Sequence, residues 1–196
     1  MIDLIIRIAI FLGFIFLLPI ISIAMLIIFL EDGFPIIFSQ KRLGIDKKIF
    51  NIYKLRTMKI NTPNKGTHEI SQSNYLHSGF IFRKAKIDEL PQIFNYLKGD
   101  INLIGPRPGL PSQEKLSHYR QLNNVFNVKP GITGLSQILG YDMSQPELLS
   151  KIDNLYINKR NNMLDLQIFL ATFFKMFKVK INKTFQSEIK KLSNNV

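Results

Sequence analysis

The chain opens with a long apolar segment. From Leu4 to Leu30 the only charged residue is Arg7. As a straight helix this segment would be about 40 Å long, which exceeds the roughly 30 Å hydrocarbon core of a bilayer. Pro19 lies near its middle, where a missing hydrogen bond and the bulk of the ring predict a kink or break. The pattern therefore leaves two topologies open, a kinked helix that crosses a membrane and a re-entrant element that enters and leaves on one face.

After residue 33 the apolar runs become short and are separated by polar residues. Residues 34–38 and 49–55 are predicted as strands, with a turn at 43–47. Residues 61–78 are polar and include Pro63 and Gly66, which predicts a long loop, and Phe80 to Lys84 predicts a short helix.

Two acidic residues precede the clearest helical pattern in the body of the chain. Apolar residues recur at 90, 93, 94 and 97, directly after Asp88 and Glu89. Pro91 suits a first turn, so Asp88 is expected near the N-cap, and Lys98-Gly99 is a typical helix end. Residues 105–109 and 130–134 are rich in glycine and proline and predict rigid turns.

The C-terminal pattern predicts a helix that meets an apolar surface. Residues 164–179 are apolar with interspersed lysines, which fits a helix lying on a membrane and also one docking onto the domain. Residues 183–196 are polar and are expected to form a flexible tail. The resulting prediction is a helix-rich α+β fold. It has a membrane segment at 1–32, a polar domain with a small strand element at 33–182, and an interfacial helix at about 164–180.

Composition narrows the class of partner. The chain of 196 residues carries a net charge of +12 and has no cysteine. A basic polar part beside an apolar anchor suits anionic headgroups and phosphate substrates, and its lysines and arginines favour the cytoplasmic side. Nucleic acid is a weaker match, because the basic residues are scattered and no zinc, homeodomain or RNP-type motif accompanies them. The absence of cysteine excludes disulfides and thiol nucleophiles.

A series of short motifs adds a family resemblance. In order they are Gln40-Lys41-Arg42-Leu43-Gly44, Tyr53-Lys54-Leu55-Arg56-Thr57-Met58, Arg83-Lys84, Asp88-Glu89-Leu90-Pro91-Gln92, Lys98-Gly99-Asp100, Gly105-Pro106-Arg107-Pro108 and Lys129-Pro130-Gly131-Ile132-Thr133-Gly134. This series resembles the bacterial sugar transferase family, and the resemblance covers nearly the whole chain, to about residue 180. Its members are monotopic phosphoglycosyl transferases that begin the assembly of capsule, O-antigen and other surface glycans.

The resemblance implies an activity and a location. It implies transfer of a sugar-1-phosphate from a UDP-sugar to undecaprenyl phosphate at the cytoplasmic face of the bacterial inner membrane, with downstream glycosyltransferases as further partners. It also implies that residues 4–30 form a re-entrant helix broken at Pro19, in what looks like a minimal catalytic form. The family commonly has Ser-Pro at this break, whereas this chain has Leu18-Pro19.

Site residues follow from the same resemblance. It implies a ping-pong reaction in which Asp88 is the nucleophile and a ligand of Mg²⁺, with Glu89 as the second member of the acidic pair. A carboxylate can form an acyl phosphate, and a helix N-terminus offers N–H groups to phosphate. The residues alone are explained more simply by Asp88 as an N-cap and Glu89 as a partner of the helix dipole.

Basic residues complete the predicted site. The resemblance implies that Arg83 and Arg107 hold phosphate, with Lys54, Arg56 and Arg42 as further candidates, since the arginine fork can bond two phosphate oxygens. For each, ordinary salt bridging is the alternative. His68, His77 and His118 lack ligand spacing and are expected at the surface.

The donor prediction depends on one loop. Residues 61–64 together with Thr67, His68 and Glu69 look like a subgroup that uses UDP-activated N-acetylated 6-deoxyhexosamines of the N-acetylfucosamine or quinovosamine type. Two alternatives belong to other function classes. One is a noncatalytic membrane-anchored scaffold, which is disfavoured because such a protein need not keep the acidic pair and the arginines together. The other is a different nucleotide-dependent transferase, which is disfavoured because no P-loop or Gly-x-Gly-x-x-Gly motif is present.

Overall fold

The computed structural model describes residues 2–63 and 70–194, with side chains from Ile10 onward. It is 62% helical with two small sheets, which confirms the predicted helix-rich α+β class. The chain folds as two compact units that alternate along the sequence. Unit 1 comprises Met1–Gln40 and Asn51–Gly99, and unit 2 comprises Lys41–Phe50 and Asp100–Val196. The predicted boundary at residue 32 is not a unit boundary, because the apolar segment belongs to the same unit as residues 51–99.

Unit 1 is built on the N-terminal helix. Helix α1 (Ile2–Asp32) contains Pro19 inside it, so the proline does not divide the segment into two helices as predicted. The loss of one hydrogen bond is tolerated because the turns on both sides continue. Among the described residues, Ile10–Asp32 is the one helix that is long and apolar enough to cross a membrane. The re-entrant path stays a prediction.

Among the described side chains of α1, from Ile10 to Asp32, only a narrow stripe is covered by protein. Its buried side chains are Phe14, Ile21, Ala24 and Ile28, and the last two pack in a core with Leu55, Leu76 and Phe82. Most of its other large apolar side chains are exposed. An apolar surface of this extent is typical of a segment whose surroundings are themselves apolar.

The remaining elements of unit 1 carry the acidic pair. Strand β1 (Ile37–Leu43) pairs with β2 (Ile49–Leu55), and residues 37–40 and 51–55 of these strands belong to unit 1. Helix α2 (His77–Lys84) follows a long loop. A 3₁₀ helix (Ile87–Gln92), called here the acidic 3₁₀ helix, leads into α3 (Ile93–Lys98). Gly99 ends α3 at φ 83°, as the Lys98-Gly99 signal predicted. The predicted strand at 34–38 begins later, at Ile37, and the one at 49–55 is confirmed.

Unit 2 contains a small parallel sheet and five α-helices within its described residues. Strand β3 (Asn102–Ile104) pairs with β4 (Gly131–Thr133), with Asn102 opposite Gly131. The helices are α4 (Glu114–Leu122), α5 (Leu135–Leu139), α6 (Pro146–Lys159), α7 (Asn162–Phe173) and α8 (Lys175–Ser193). Neither strand was predicted. Strand β3 precedes the predicted turn at 105–109, whereas β4 lies inside the predicted turn at 130–134, where the backbone is extended because it pairs with β3.

The C-terminal prediction needs two corrections. The single helix expected at 164–180 is two helices, because Phe174 is extended (φ −117°, ψ 117°) and separates α7 from α8. The flexible tail expected from residue 183 is helical as far as Ser193, because Ile181, Phe185 and Ile189 form a buried stripe on α8. Exposed apolar side chains nevertheless cluster on α7 and the start of α8, namely Met163, Leu166, Phe169, Phe173, Phe174 and Met176. Their contact with a membrane surface stays a prediction.

Candidate active site

The acidic 3₁₀ helix is fixed in unit 1 by an asparagine on the helix that follows it. Asn95 is fully buried. Its Nδ2 donates to the Asn51 carbonyl at 2.7 Å, and its Oδ1 accepts from the Tyr53 N–H at 3.1 Å. These bonds hold the first turn of α3 against β2. The acidic residues just before α3 are therefore held close to the side chains of β2.

Glu89 is held by lysines. Lys54 Nζ on β2 donates to Glu89 Oε1 at 2.7 Å, and both side chains are largely buried. Lys86 Nζ lies 3.9 Å from the other oxygen, Oε2. Lys86 is the N-cap of the acidic 3₁₀ helix, with φ 62°, so Asp88 lies in the first turn, near the N-cap as predicted but not at it. Sequence reasoning missed Lys86, because lysine is not a residue type that indicates a helix N-cap or a left-handed backbone conformation.

Asp88 is the chemically unusual member of the pair. It is 5% exposed, and its Oδ1 has no hydrogen-bond partner among the described residues. Burial raises the pKa of Asp88 above its ordinary value, and neighbouring Glu89 raises it too, while Lys54, Arg83 and Lys86 lower it. A buried acceptor without a donor costs free energy. The position is therefore suited to a ligand that supplies the missing hydrogen-bond donor or a cation.

Arg83 reaches this cluster from the last turn of α2. Its guanidinium lies over the Tyr75 ring, 5.1 Å from the centroid, and NH1 is 3.5 Å from Thr57 Oγ1. Stacking on the ring fixes the orientation of the planar arginine fork. A Cβ at Gly79 would collide with the Thr57 carbonyl oxygen, so only glycine lets α2 pack this closely on the end of β2. Tyr75 was not predicted, since a ring from the long loop carries no local signal for this contact.

Arg56 has a structural role that the sequence did not indicate. It is 5% exposed, and its NH2 donates to the carbonyls of Asp32 at 2.9 Å and Gly33 at 2.8 Å. The same nitrogen lies 3.3 Å from Asp32 Oδ2. Arg56 thus supplies hydrogen bonds to carbonyls at the C-terminal end of α1 that have no partner within the helix. Its Nε and NH1 have no hydrogen-bond partner among the described residues, so its predicted contact with phosphate stays a prediction.

Two of the predicted basic residues belong to unit 2. Arg107 is half-buried between Pro106 and Pro108. The Pro106 carbonyl accepts from the Gly131 N–H at 2.9 Å, and the Pro108 carbonyl accepts from Arg42 NH1 at 2.9 Å. Arg42 therefore supports the turn that carries Arg107. The phosphate-binding role of Arg107 stays a prediction.

The other predictions divide between the surface and residues that are not described. His77 is exposed, and its side chain is not part of the acidic cluster. Residues 64–69, which include His68 and most of the residues behind the donor prediction, lie outside the described residues. Within the described ranges, no group of three or more His, Cys, Asp or Glu is placed to hold a metal ion.

A hard cation nevertheless has one suitable ligand. Asp88 Oδ1 is a buried oxygen acceptor without a donor, and oxygen is the donor type that Mg²⁺ prefers. Glu89 is occupied by Lys54 and Lys86. These residues would fit a magnesium ion held through the Asp88 carboxylate, and magnesium binding stays a prediction.

Comparisons with known proteins agree with the motifs. The family model described as bacterial sugar transferase matches residues 1–179. The chain is 39% identical over 147 residues to the uncharacterized sugar transferase EpsL of Bacillus subtilis, covering 75% of this chain and 72% of that protein.

Two longer relatives have names that specify substrates. One is the UDP-glucose:undecaprenyl-phosphate glucose-1-phosphate transferase of Escherichia coli, with 32% identity over 81% of this chain and 36% of that protein. The other is the UDP-N-acetylgalactosamine-undecaprenyl-phosphate N-acetylgalactosaminephosphotransferase of Aeromonas hydrophila, with 34% identity over 79% of this chain and 38% of that protein. The matched part is thus little more than a third of each longer relative. With the family model matching 179 of its residues, the chain belongs to the bacterial sugar transferase family.

Proposed function

We propose that this protein transfers a sugar-1-phosphate from a UDP-sugar to undecaprenyl phosphate at a membrane. The observation that carries the proposal is Asp88, a buried carboxylate with an unpartnered oxygen, within the electrostatic influence of Lys54 and Arg83. The names of relatives support this general reaction, although their sugars differ. The apolar helix α1 supports a membrane location.

The reaction proceeds in two displacements. An Asp88 oxygen attacks the sugar-bearing phosphorus, the bond from that phosphorus to the bridging oxygen breaks, and UMP leaves with the electron pair. A phosphate oxygen of undecaprenyl phosphate then attacks the same phosphorus, and the Asp88 carboxylate is released. Each displacement replaces one P–O bond with another, so no oxidant or further co-reactant is needed.

The side chains of unit 1 support these steps electrostatically. Arg83, which stacks on the Tyr75 ring, would bond phosphate oxygens, and Lys54 favours the ionised form of Asp88 that must attack. Glu89 holds Lys54 in place at 2.7 Å. Bound Mg²⁺ would neutralise charge on the two donor phosphates. These roles agree with a site that works through preorganised charge.

The experiment is intact-mass spectrometry of the detergent-purified protein with Mg²⁺ and a panel of UDP-sugars, without undecaprenyl phosphate. We expect one donor to add the mass of its sugar phosphate and release UMP, and undecaprenyl phosphate to discharge the adduct. Within the panel we expect an N-acetylated 6-deoxyhexosamine to be preferred over the glucose and N-acetylgalactosamine donors.

Two variants assign the nucleophile. Asp88→Asn should form no adduct, whereas the matched control Asp46→Asn, at an exposed position with φ 51° that asparagine tolerates, should behave as wild type. An adduct on Asp88→Asn would give the role to another residue. A wild type that releases no UMP from any donor would favour a noncatalytic scaffold.

A further inference from the structure

We propose that Glu31, in the last turn of the membrane helix α1, is a positioning residue that sets the place of Arg83 by capping α2. The inference rests on the proposed function, because its test measures the binding and turnover of a UDP-sugar. It assigns a role in substrate binding to a residue that makes no contact with the acidic pair.

The first turn of α2 has no cap of its own. Its N-cap residue is Leu76, which offers no side-chain acceptor. Glu31 supplies the missing acceptors from another helix. Its Oε1 accepts from the His77 N–H at 2.5 Å, and its Oε2 accepts from the Ser78 N–H at 3.2 Å and from Ser78 Oγ at 2.5 Å. A carboxylate at this end also interacts favourably with the helix dipole.

The opposite end of α2 carries Arg83, the residue predicted to bind phosphate. The helix has eight residues, so its ends are only about 12 Å apart. Arg83 lies in its last turn and is oriented by Tyr75 and Thr57. A short, stiff helix transmits a shift of its first turn to its last. Release of the cap is therefore expected to move the Arg83 guanidinium from its place beside Asp88.

Anchoring of α1 does not depend on Glu31. Arg56 binds the Asp32 and Gly33 carbonyls, and the Ile60 N–H donates to Asp32 Oδ2 at 3.1 Å. These contacts remain when Glu31 is replaced. The effect of a Glu31 substitution should thus fall on α2 and on donor binding, with little effect on the fold of unit 1.

The test measures donor binding in two ways with the full-length protein. Calorimetry gives the Kd for UDP, which carries both phosphates, and steady-state UMP release gives KM and kcat for the preferred UDP-sugar. We expect Glu31→Ala to raise both Kd and KM about tenfold with a smaller change in kcat, because an interaction common to ground and transition states is weakened. Glu31→Gln keeps one acceptor oxygen and should restore part of the loss.

Two comparisons separate positioning from general damage. The matched control is Glu114→Ala, which removes an exposed glutamate from the first turn of α4 and should leave Kd and KM unchanged. In an Arg83→Ala background, Glu31→Ala should add less than a twofold further loss, because both changes remove the same interaction. If Glu31→Ala fails to fold, Ser78→Ala is used in the same cycle, since it removes only one of the three bonds.

The outcomes identify which proposal fails. Wild-type Kd and KM in Glu31→Ala, or losses that multiply with those of Arg83→Ala, would overturn the positioning role and leave the proposed function intact. A wild type that binds UDP but turns over no donor would contradict the proposed function, and the Kd series would still decide the role of Glu31. A wild type that neither binds UDP nor releases UMP would overturn both.

Discussion

The two units each bury an aspartate, and the two environments differ in a way that separates function from structure. In unit 2, Asp153 is 2% exposed and both its oxygens are engaged. Oδ2 accepts from Arg120 NH2 at 2.6 Å, and Oδ1 accepts from Ser136 Oγ at 2.9 Å. In unit 1, Asp88 is similarly buried, but its Oδ1 has no partner among the described residues. Only Asp88 has an acceptor left for a substrate or a cation.

Burial raises the pKa of both carboxyls above the ordinary value, and nearby cations oppose the shift in both cases. At Asp153 the opposing groups are direct hydrogen-bond donors from Arg120 and Ser136. At Asp88 the interactions that lower the pKa are charges at a distance, with Lys54 the largest. A raised pKa therefore does not identify a catalytic carboxyl. The unsatisfied oxygen is the more informative signal.

The largest expected effect is that of Asp88→Asn. Loss of the nucleophile should lower kcat at least about 10³-fold. The same change should raise Tm at neutral pH. The folded-state pKa of Asp88 lies above the unfolded one, so ionised Asp88 destabilises the fold at pH values above the unfolded pKa, and asparagine removes that charge. Thermal unfolding in detergent and UMP release measure the two effects. A Tm below that of wild type would mean that the Asp88 charge stabilises the fold.

Asp153→Ala should produce the opposite pattern. It leaves the Arg120 guanidinium buried without its counter-ion, which costs about 3–5 kcal/mol of unfolding free energy. UMP release per folded molecule should change little. Denaturant unfolding measures the loss, and the double variant Arg120→Met with Asp153→Leu should recover most of it, because no buried charge remains. A double variant no more stable than Asp153→Ala would show that the polar network itself is required.

Sequence patterns predicted the elements with strong local signals. The apolar period of α1, the strand β2 and the Gly99 end of α3 each depend on residues within one segment. The strands β3 and β4 were missed because each has three residues, which is too few to show a period, and their pairing is between distant parts of the chain. The continuation of α8 was predictable in principle, since Ile181, Phe185 and Ile189 recur every four residues. The break at Phe174 has no glycine or proline to signal it.

The candidate site residues were named from the sequence, and their catalytic and binding roles stay predictions, but the contacts between their side chains were not foreseen. Asp88, Glu89, Lys54 and Arg83 lie in one unit, and the structure joins Lys54 to Glu89 and stacks Arg83 on Tyr75. These pairings join residues from separate elements, so no local pattern could show them. The structural role of Arg56 was missed for the same reason, because its acceptors are the last carbonyls of a helix more than twenty residues earlier.

Lys54→Gln should shift the acid limb of the pH profile of kcat/KM to higher pH. In the proposed mechanism Asp88 attacks in its ionised form, so kcat/KM should fall as the pH drops through the Asp88 pKa, and burial raises this pKa above the ordinary value. Lys54 is the largest opposing influence, so its removal should raise the pKa further and move the acid limb to higher pH. The pH profile of kcat/KM measures the shift. Lys59→Gln, an exposed position in the same unit, is the matched control, and a limb unmoved by Lys54→Gln would remove Lys54 from this role.

The smallest expected effect tests whether burial, and not mere proximity of charges, makes the Arg120–Asp153 pair important. In unit 2, Lys159 Nζ lies 2.6 Å from Glu188 Oε1, the same distance as in the buried pair, but the two side chains are 47% and 33% exposed. Water screens these charges, so Glu188→Gln should change the unfolding free energy by less than about 1 kcal/mol. Denaturant unfolding alongside Asp153→Ala gives the direct comparison. A loss as large as that of Asp153→Ala would mean that ion-pair distance outweighs burial in this fold.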